Sequence, residues 1–235
     1  MKKNILGVTL ARGGSKGIKN KNLSKINGKP LIFYTIKEAK KSKDITNYIV
    51  STDSRIIKNI AKKYKADVPF TRPKKLSNDK SSSASALKHA LIECEKFYNK
   101  KFDYVIELMA TNPLKSVKDI DNVIKILLRY KADSVIAVNQ LLDHHPARIK
   151  KIMNNKLYDF SIKEKLESRR QDLKPNAYVR SGSIYAMSRK FVMQEKRYYS
   201  GKSFAYILPA ERTINIDDKN DLLLARIKIK KFSYI

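Results

Sequence analysis

The sequence predicts an α/β fold with a mostly parallel central sheet, because short apolar runs alternate with longer segments of helical period. The first pair is the apolar run Ile5–Leu10 and the helical segment Leu31–Lys41, which begins directly after Pro30. The same alternation recurs along the chain. A chain of 235 residues can bury one substantial core without disulfides or metals. We therefore predict a single domain over residues 1–235.

The later elements follow the same alternation. Strands are predicted over residues 48–51, 102–108, 134–139, 183–187 and 204–208, and helices over residues 55–64, 85–98, 117–130 and 219–229. Ser116 and Asp119 have the spacing of a capping box. The helix over 85–98 is predicted to bury one apolar face, made of Ala86, Leu87, Ala90, Leu91, Cys94, Phe97 and Tyr98.

Residues 141–178 depart from the alternation. This segment is polar and charged, with only short strand-like pieces. It lacks the apolar content of a second core, so we expect an excursion from the sheet that forms an interface with a partner.

The composition limits the classes of function. The formal charge is +29 at pH 7, from 51 lysines and arginines against 22 aspartates and glutamates. Clustered cations would indicate nucleic acid or an anionic membrane, but here they are spread along the chain. The spread favours either a background composition rich in lysine or an anionic substrate, with no nucleic-acid or membrane partner. The single cysteine and the short apolar run at the N-terminus predict a cytoplasmic protein without a signal peptide or membrane span.

A glycine- and cation-rich loop follows the first strand. It reads Leu10-Ala11-Arg12-Gly13-Gly14-Ser15-Lys16-Gly17, and Lys21 follows it closely. Glycines allow a polyphosphate to approach the backbone N–H groups, and the cations neutralise its charge. The spacing matches neither a Walker A loop nor a dinucleotide-binding fingerprint. The loop is predicted to bind a nucleoside triphosphate, with a plain flexible turn as the alternative.

This loop, continued by Lys21-Asn22-Leu23 and Asn27-Gly28-Lys29-Pro30-Leu31, resembles the N-terminal signature of the acylneuraminate cytidylyltransferases, the enzymes that make CMP-activated sialic acids. Further motifs occur in that family's order: Val50-Ser51-Thr52-Asp53, Arg72-Pro73, Asn78-Asp79, the serines 81–83, Thr111-Asn112-Pro113-Leu114, His144-His145-Pro146, Arg170-Gln171-Asp172-Leu173, Gly182-Ser183-Ile184-Tyr185 and Ile214-Asn215-Ile216-Asp217. The resemblance extends over nearly the whole chain.

The resemblance implies a three-layer αβα nucleotidyltransferase fold and a homodimer formed through residues 141–178. It implies that the anomeric hydroxyl of an acidic nine-carbon sugar attacks the α-phosphorus of CTP and releases pyrophosphate. The implied catalytic residues are Arg12, Lys16, Lys21 and Asp217. The implied nucleotide-binding residues are Leu10, Ala11, Arg12, Gly13, Gly14, Ser15, Lys16, Asn22, Arg72, Ser82 and Ser83. The implied sugar-binding residues are Met109, Thr111, Arg148, Arg170, Gln171 and Tyr185.

Three positions depart from the family pattern. The family supplies Mg²⁺ ligands from an Asp-x-Asp, whereas this chain has Asn215 and Asp217. A weaker Mg²⁺ site at these two residues is expected, because an amide carbonyl carries less charge than a carboxylate. The alternative is that Asp217 and Asp218 only cap the last helix.

The other two departures bear on the sugar. Met109 replaces a glutamine that commonly contacts the sugar, and Ser181 replaces an asparagine. A thioether cannot hydrogen-bond a hydroxyl well, so we expect a legionaminic- or pseudaminic-type acid as the substrate. Alternatives are a 3-deoxy-manno-octulosonate cytidylyltransferase, an inactive sugar-nucleotide-binding relative, and a non-catalytic basic protein that binds nucleotides or nucleic acid.

Overall fold

The computed structural model describes residues 3–15, 17–164, 169–196 and 201–232. The strands are β1 (Ile5–Leu10), β2 (Lys25–Ile26), β3 (Lys29–Pro30), β4 (Asn47–Ser51), β5 (Tyr104–Leu108), β6 (Ser134–Leu141), β7 (Lys150–Met153), β8 (Lys156–Asp159), β9 (Ala177–Ser188) and β10 (Ser203–Ile207). The α-helices are α1 (Leu31–Lys41), α2 (Arg55–Lys63), α3 (Ser83–Phe97), α4 (Val117–Arg129), α5 (Arg189–Met193) and α6 (Lys219–Phe232). Among the described helices, none is long and apolar enough to cross a bilayer.

Six strands form the central sheet, in the order β10-β6-β9-β5-β1-β4. β1 pairs in parallel with both β4 and β5, and β10 pairs in parallel with β6. β9 is antiparallel to its two neighbours, β5 and β6. The predicted α/β fold with a mostly parallel sheet is confirmed. The reversed direction of β9 was not predicted, because a buried strand has the same apolar pattern in either direction.

Helices cover both faces of the sheet. Alternate residues of each strand face opposite sides, so β1 directs Ile5 to one face and Leu6 to the other. On the first face the strands pack against α1, α2 and α4, and on the second against α3 and α5. A third cluster packs α6 against α1 and the segments around Ile18 and Ile216. The predicted three-layer αβα arrangement follows from these contacts.

Helix α3 buries most of its predicted apolar face. Cys94 is fully buried, and burial, with smaller contributions from neighbouring carboxylates, raises the pKa of its thiol to about 12. Cys94 is therefore a core residue, as predicted. The prediction for Phe97 was wrong, because this side chain is 63% exposed. Phe97 is the last residue of the helix, and its ring packs edge-on against Tyr98.

The segment over residues 141–178 is connected to the sheet by a two-stranded ribbon, formed by the extensions of β6 and β9. β6 and β9 extend past the predicted strands and pair from Val138 with Arg180 to Leu141 with Ala177. Beyond the ribbon, β7 and β8 form an antiparallel hairpin. His145 holds the base of the segment: its Nε2 donates to the Pro175 carbonyl at 2.9 Å and its Nδ1 accepts from the Ala147 N–H at 3.2 Å. His145 therefore has a structural role.

The start of α4 anchors the C-terminal part of the chain. The predicted capping box is present, with Ser116 and Asp119 exchanging hydrogen bonds. Asp119 is fully buried, and its two oxygens accept from the Arg212 guanidinium at 2.9 Å and from the Tyr206 hydroxyl at 2.7 Å. Burial alone would raise the pKa of Asp119, but the hydrogen bonds from Arg212, Ser116 and Tyr206 outweigh it and lower the pKa. This ion pair fixes the chain immediately before residues 214–217.

Candidate active site

The candidate site lies at the carboxyl ends of β1, β4 and β5. Parallel pairing brings Leu10 of β1 beside Ser51 of β4, and Val8 beside Glu107 of β5. β4 lies on one side of β1 and β5 on the other. The loops that follow β1 and β5 therefore diverge at this edge of the sheet. Crevices at such a reversal of strand order bind ligands in open α/β sheets. Two adjoining cavities occupy the edge.

The first, here called the α3 cavity, has a volume of about 290 Å³ and lies against the N-terminus of α3. Among its lining residues are five of the predicted nucleotide-binding residues. The full lining is Leu10, Arg12, Arg72, Leu76, Asn78, Asp79, Ser81, Ser82, Ser83, Ala86, Glu107 and Met109.

The second, here called the Lys21 cavity, has a volume of about 390 Å³. It is lined by Leu10, Arg12, Ser15, Gly17, Lys21, Asn22, Met109, Ala110, Thr111 and Asp217. Leu10, Arg12 and Met109 line both cavities, so a ligand that extends from one to the other passes Arg12. Most of the predicted nucleotide-binding residues and two of the predicted sugar-binding residues line one or both of the cavities.

The loop after β1 is held by bonds within the protein. The Ala11 N–H donates to Ser51 O at 3.0 Å, the Gly13 N–H donates to Asp53 Oδ1 at 2.9 Å, and the Asn22 amide donates to Arg12 O at 3.3 Å. Ala11 is fully buried and lines neither cavity, and its bond to Ser51 supports the loop. Its contact with the nucleotide stays a prediction. The N–H of Gly13 is likewise already bonded, and Gly14 lines neither cavity. Lys16 lies outside the described residues.

Two arginines give the α3 cavity its positive charge. The Arg12 guanidinium pairs with Asp79 at 2.7 Å. Arg72 is only 4% exposed; its Nε donates to Ser77 Oγ at 3.0 Å, and its guanidinium lies 4.0 Å from Asp53. Burial lowers the pKa of Arg72, the negative charge of Asp53 opposes this, and the positive charge of Arg12 adds to it. Arginine remains protonated under such shifts, so both side chains can bind an anion.

The N-terminus of α3 adds a partial positive charge to the same cavity. Ser82 is the N-cap residue, and its hydroxyl oxygen accepts from the Ser85 N–H at 3.0 Å. The first N–H groups of a helix lack partners within the helix, and the helix dipole is positive at this end. Ser82 and Ser83, predicted to contact the nucleotide, therefore bring a group suited to an oxygen-rich ligand.

The loop before α6 brings one acidic residue, Asp217, to the Lys21 cavity. The contacts of Asp217 and Asp218 distinguish the two predicted alternatives, a metal ligand and a helix cap. Asp218 caps α6, because its Oδ1 accepts from the Asp221 N–H at 2.9 Å. Asp217 instead accepts from Lys21 Nζ at 2.9 Å and from the Asn215 amide nitrogen at 2.5 Å. Its side chain is 68% exposed and lines the cavity. Asp217 is thus available to a ligand, and Asp218 is the helix cap.

The predicted sugar-binding residues divide into two groups. Met109 and Thr111 line the Lys21 cavity. Tyr185 lines neither cavity; it is 5% exposed and lies in the core, because β9 directs it toward the α3 face of the sheet. Arg148, Arg170 and Gln171 lie on the 141–178 segment and line neither cavity within one chain. Arg148 lies 3.7 Å from Glu164, and Arg170 lies 3.3 Å from Asp143.

Several residues at the site had no predicted role. Asp53 holds both the glycine loop and Arg72, and Asp79 pairs with Arg12. Glu107 is a fully buried acid at the wall of the α3 cavity. Asp53 could have been found from the sequence, because it follows a predicted strand that should end at the same edge as β1. Asp79 belongs to a motif of the family resemblance, but its pairing with Arg12 depends on the path of a long loop, which the sequence pattern does not reveal.

Comparison with known proteins identifies the family. A model of the cytidylyltransferase family matches residues 6–206, which is most of the chain. The chain belongs to this family. The protein is therefore a nucleotidyltransferase, as the motifs predicted.

Curated relatives of this cytidylyltransferase match over nearly their full length. The pseudaminic acid cytidylyltransferase of Campylobacter jejuni strain 81-176 is 33% identical over 94% of this chain and 94% of its own. The CMP-N,N'-diacetyllegionaminic acid synthase of Campylobacter jejuni is 30% identical over 96% of this chain and 94% of its own.

Solved structures of low sequence identity share the fold of this cytidylyltransferase. A CMP:2-keto-3-deoxy-manno-octonic acid synthetase complexed with CTP superposes with a TM-score of 0.69 at 16% identity, covering 97% of this chain and 99% of its own. This similarity confirms the three-layer nucleotidyltransferase fold.

Gly17 allows the loop of the cytidylyltransferase to approach Asp217, and its replacement tests the geometry of the site. A Cβ atom built on Gly17 would clash with the backbone oxygen of Asp217. We expect Gly17→Ala to weaken CTP binding by about tenfold, because the loop must move by a fraction of an ångström. Isothermal titration calorimetry measures the change.

Gly201→Ala is the matched control, since a Cβ there meets nothing within 4 Å. Wild-type affinity in the Gly17 variant would show that this close approach is unimportant for CTP.

Proposed function

We propose that the protein transfers CMP from CTP to the anomeric hydroxyl of a nonulosonic acid, a sialic-acid-like nine-carbon sugar, and releases pyrophosphate. The observation that carries the proposal is the pair of adjoining cavities that share Arg12. One cavity can hold a nucleoside and the other an acceptor, with the reacting phosphate between them. The soluble substrates of this reaction support a cytoplasmic location.

The α3 cavity is proposed to hold the cytidine. Its buried Arg72 and the N-terminal end of α3 supply donors for the oxygens of the base and ribose. The triphosphate is proposed to extend past Arg12 toward Lys21, where the loop residues Ser15 and Gly17 line the wall. A triphosphate would compete with Asp79 for Arg12 and with Asp217 for Lys21. Both of these ion pairs are partly exposed, so their exchange costs little free energy.

The Lys21 cavity is proposed to hold the acidic sugar. Within the described part of the chain, the buried Thr111 Oγ1 has no hydrogen-bond partner. A sugar hydroxyl could bond to it once the Thr111 side chain rotates toward the cavity, and Met109 offers an apolar contact in the same wall. An apolar wall suits a sugar with deoxy or N-acyl groups better than one with a hydroxyl at that point. This supports a pseudaminic- or legionaminic-type acid, as do the names of the relatives.

The same cavity suits Mg²⁺ through its donor set. Mg²⁺ prefers hard oxygen ligands and keeps several waters, so one carboxylate with triphosphate oxygens is sufficient. Asp217 would be the protein ligand, and no group of three or more His, Cys, Asp or Glu side chains suited to a metal occurs among the described residues. Asn215 turns its amide nitrogen toward Asp217, so it would supply an oxygen only after its amide rotates. The ion would neutralise triphosphate charge.

The chain's own residues would mainly position the two substrates and neutralise the charge of the triphosphate. The bond that forms joins the anomeric oxygen to the α-phosphorus, and the bond that breaks joins the α-phosphorus to the bridging oxygen of pyrophosphate. Arg12 lies between the cavities, where negative charge increases during transfer, and Lys21 lies beside Asp217. Fixed cations in such positions stabilise the transition state. Lys16 is proposed to add a further cation.

The proposed homodimer is supported by an apolar surface on the 141–178 segment. Ile152 and Leu157 are opposite each other on the β7–β8 hairpin and are 73% and 66% exposed. Further exposed apolar residues of this segment and the start of β9 are Leu142, Ile149, Met153, Tyr158, Phe160, Ile162, Tyr178 and Val179. So many exposed apolar side chains in one segment indicate an interface in a soluble protein. Arg148, Arg170 and Gln171 lie on the same segment and would reach the partner's site.

The proposed reaction is tested by incubating the protein with CTP, Mg²⁺ and a panel of acidic sugars while pyrophosphate release is measured. We expect pseudaminic or legionaminic acid to react fastest, with N-acetylneuraminate slower, because Met109 lines the acceptor cavity. A preference for 3-deoxy-manno-octulosonate would favour the shorter-sugar alternative. CTP binding without pyrophosphate release would indicate an inactive relative.

The proposed metal ligands are tested by Asn215→Asp. A second carboxylate should lower the Mg²⁺ concentration that gives half-maximal activity by several-fold, because it restores a charged ligand. Mn²⁺ binding in the presence of CTP, followed by electron paramagnetic resonance, should tighten in parallel. Asp218→Asn is the control at the neighbouring cap. If the metal requirement and Mn²⁺ affinity are unchanged in the Asn215 variant, this residue does not lie at the metal.

The proposed dimer is tested by Ile152→Asp combined with Leu157→Asp. Burying two carboxylates in an apolar interface is strongly unfavourable, so sedimentation should change from dimer to monomer. If partner residues complete the sugar site, the variant should retain CTP binding and lose turnover by about tenfold or more. Ile56→Asp is the control, since Ile56 is 61% exposed on α2, away from the segment. A fully active wild-type monomer would exclude the dimer.

A further inference from the structure

Lys115 is a buried cation that neither the sequence motifs nor the proposed reaction uses. It follows the turn after β5, and its side chain is among the largest that are fully buried, at 1% exposure. Its Nζ donates to Thr35 Oγ1 on α1 at 2.8 Å, to Met109 O at 2.7 Å, and to Asn112 O. All three protons of the ammonium group therefore have an acceptor. Two of the acceptors belong to the same short turn.

That turn, residues 109–112, forms part of the wall of the Lys21 cavity. Its Met109 and Thr111 line the cavity. The Met109 N–H donates to Ser183 O at 2.9 Å, which ties the turn to β9. Thr111 O accepts from the Ile216 N–H at 2.9 Å, which ties it to the residue before Asp217. A shift of the turn would thus move the acceptor wall and the acidic residue together.

Burying the ammonium group of Lys115 carries a large desolvation free energy. Burial lowers the pKa of Lys115 to about 7, against the opposing influence of Glu38 on α1 and Asp119 on α4. Both acids are engaged elsewhere: Glu38 accepts from the Val117 N–H at 2.9 Å, and Asp119 pairs with Arg212. An apolar side chain of similar volume would fill this space at lower cost. A donor is needed here because the carbonyls of Met109 and Asn112 both accept from the same nitrogen and would repel each other without it.

We propose that Lys115 is a positioning residue that fixes the turn over residues 109–112 against α1 and so sets the sugar side of the site. This inference rests on the proposed function for its kinetic consequence, but its structural consequence is independent of it. The nucleoside side should depend on Lys115 much less, because the α3 cavity shares only Met109 with the turn.

The first test uses Lys115→Met, which keeps the length of the side chain and removes the donors. Lys118→Met, an exposed residue at the start of the adjacent helix α4, is the matched control. With the best sugar of the panel, we expect kcat/KM for the sugar to fall by about tenfold or more in Lys115→Met, since small displacements of positioning groups have large effects. The CTP dissociation constant should remain within about twofold of wild type.

A second, milder variant keeps the proposal testable if Lys115→Met does not fold. Thr35→Val removes one acceptor of the ammonium group and is nearly isosteric, whereas Thr35→Ser retains the hydroxyl. We expect Thr35→Val to raise KM for the sugar by about threefold, as for the loss of one hydrogen bond, and Thr35→Ser to restore wild-type behaviour. Sugar kinetics unchanged in Thr35→Val and in any folded Lys115→Met would overturn the proposal. Equal losses of CTP and sugar affinity would show a general structural role instead.

Hydrogen exchange separates this inference from the proposed function. Amide exchange in peptides covering residues 109–116 and 214–218 should be faster in Lys115→Met and Thr35→Val than in wild type or Lys118→Met. Faster exchange without turnover of any sugar would refute the proposed function and retain the role of Lys115 in the turn. Unchanged exchange would refute the role of Lys115, whatever the protein catalyses.

Discussion

The parallel pairing of β1 with β4 and β5 is the constraint on which the site depends. Parallel strands end at the same edge of the sheet, so the loops after Leu10, Ser51 and Leu108 start side by side. The glycine loop, Asp53 and the turn over residues 109–112 are far apart in sequence and come together for this reason alone. The cavities form where these loops separate, and Arg12 lies between them because it follows β1 by two residues.

Charged side chains, some of them fully buried, hold the edges of the site. Asp53 accepts from the glycine loop and lies beside Arg72, and Asp119 pairs with Arg212 just before the segment that carries Asp217. Lys115 supports the turn between them. Arg72, Asp119 and Lys115 are buried, whereas Asp53 and Arg212 are partly exposed. All of them are held by hydrogen bonds, which have strict geometry. The consequence is a site whose walls are fixed by polar contacts, while the apolar clusters hold the three layers together.

Some elements and site residues were predictable from the sequence, and others were not. Ile5–Leu10, α1 and the capping box at Ser116 were predicted correctly, because local periodicity and capping chemistry act within a few residues. The direction of β9 and the exposure of Phe97 could not be predicted in this way, since both depend on contacts between segments that are distant in sequence. At the site, Arg12, Arg72 and Asp217 line cavities, whereas Tyr185 is in the core and Ala11 supports the loop. The roles that the family motifs imply for these residues stay predictions.

The sequence by itself determined the fold class, the family and the residue types that can bind a nucleotide, because hydrophobic period and ordered motifs are local properties of the chain. The tertiary structure alone decided which of these residues share a cavity. It separated Asp217, beside Lys21, from Asp218, the cap of α6. It also placed Lys115 beneath the turn over residues 109–112. Contacts between distant segments arise from strand order and packing, and neither is encoded in the pattern of any one segment.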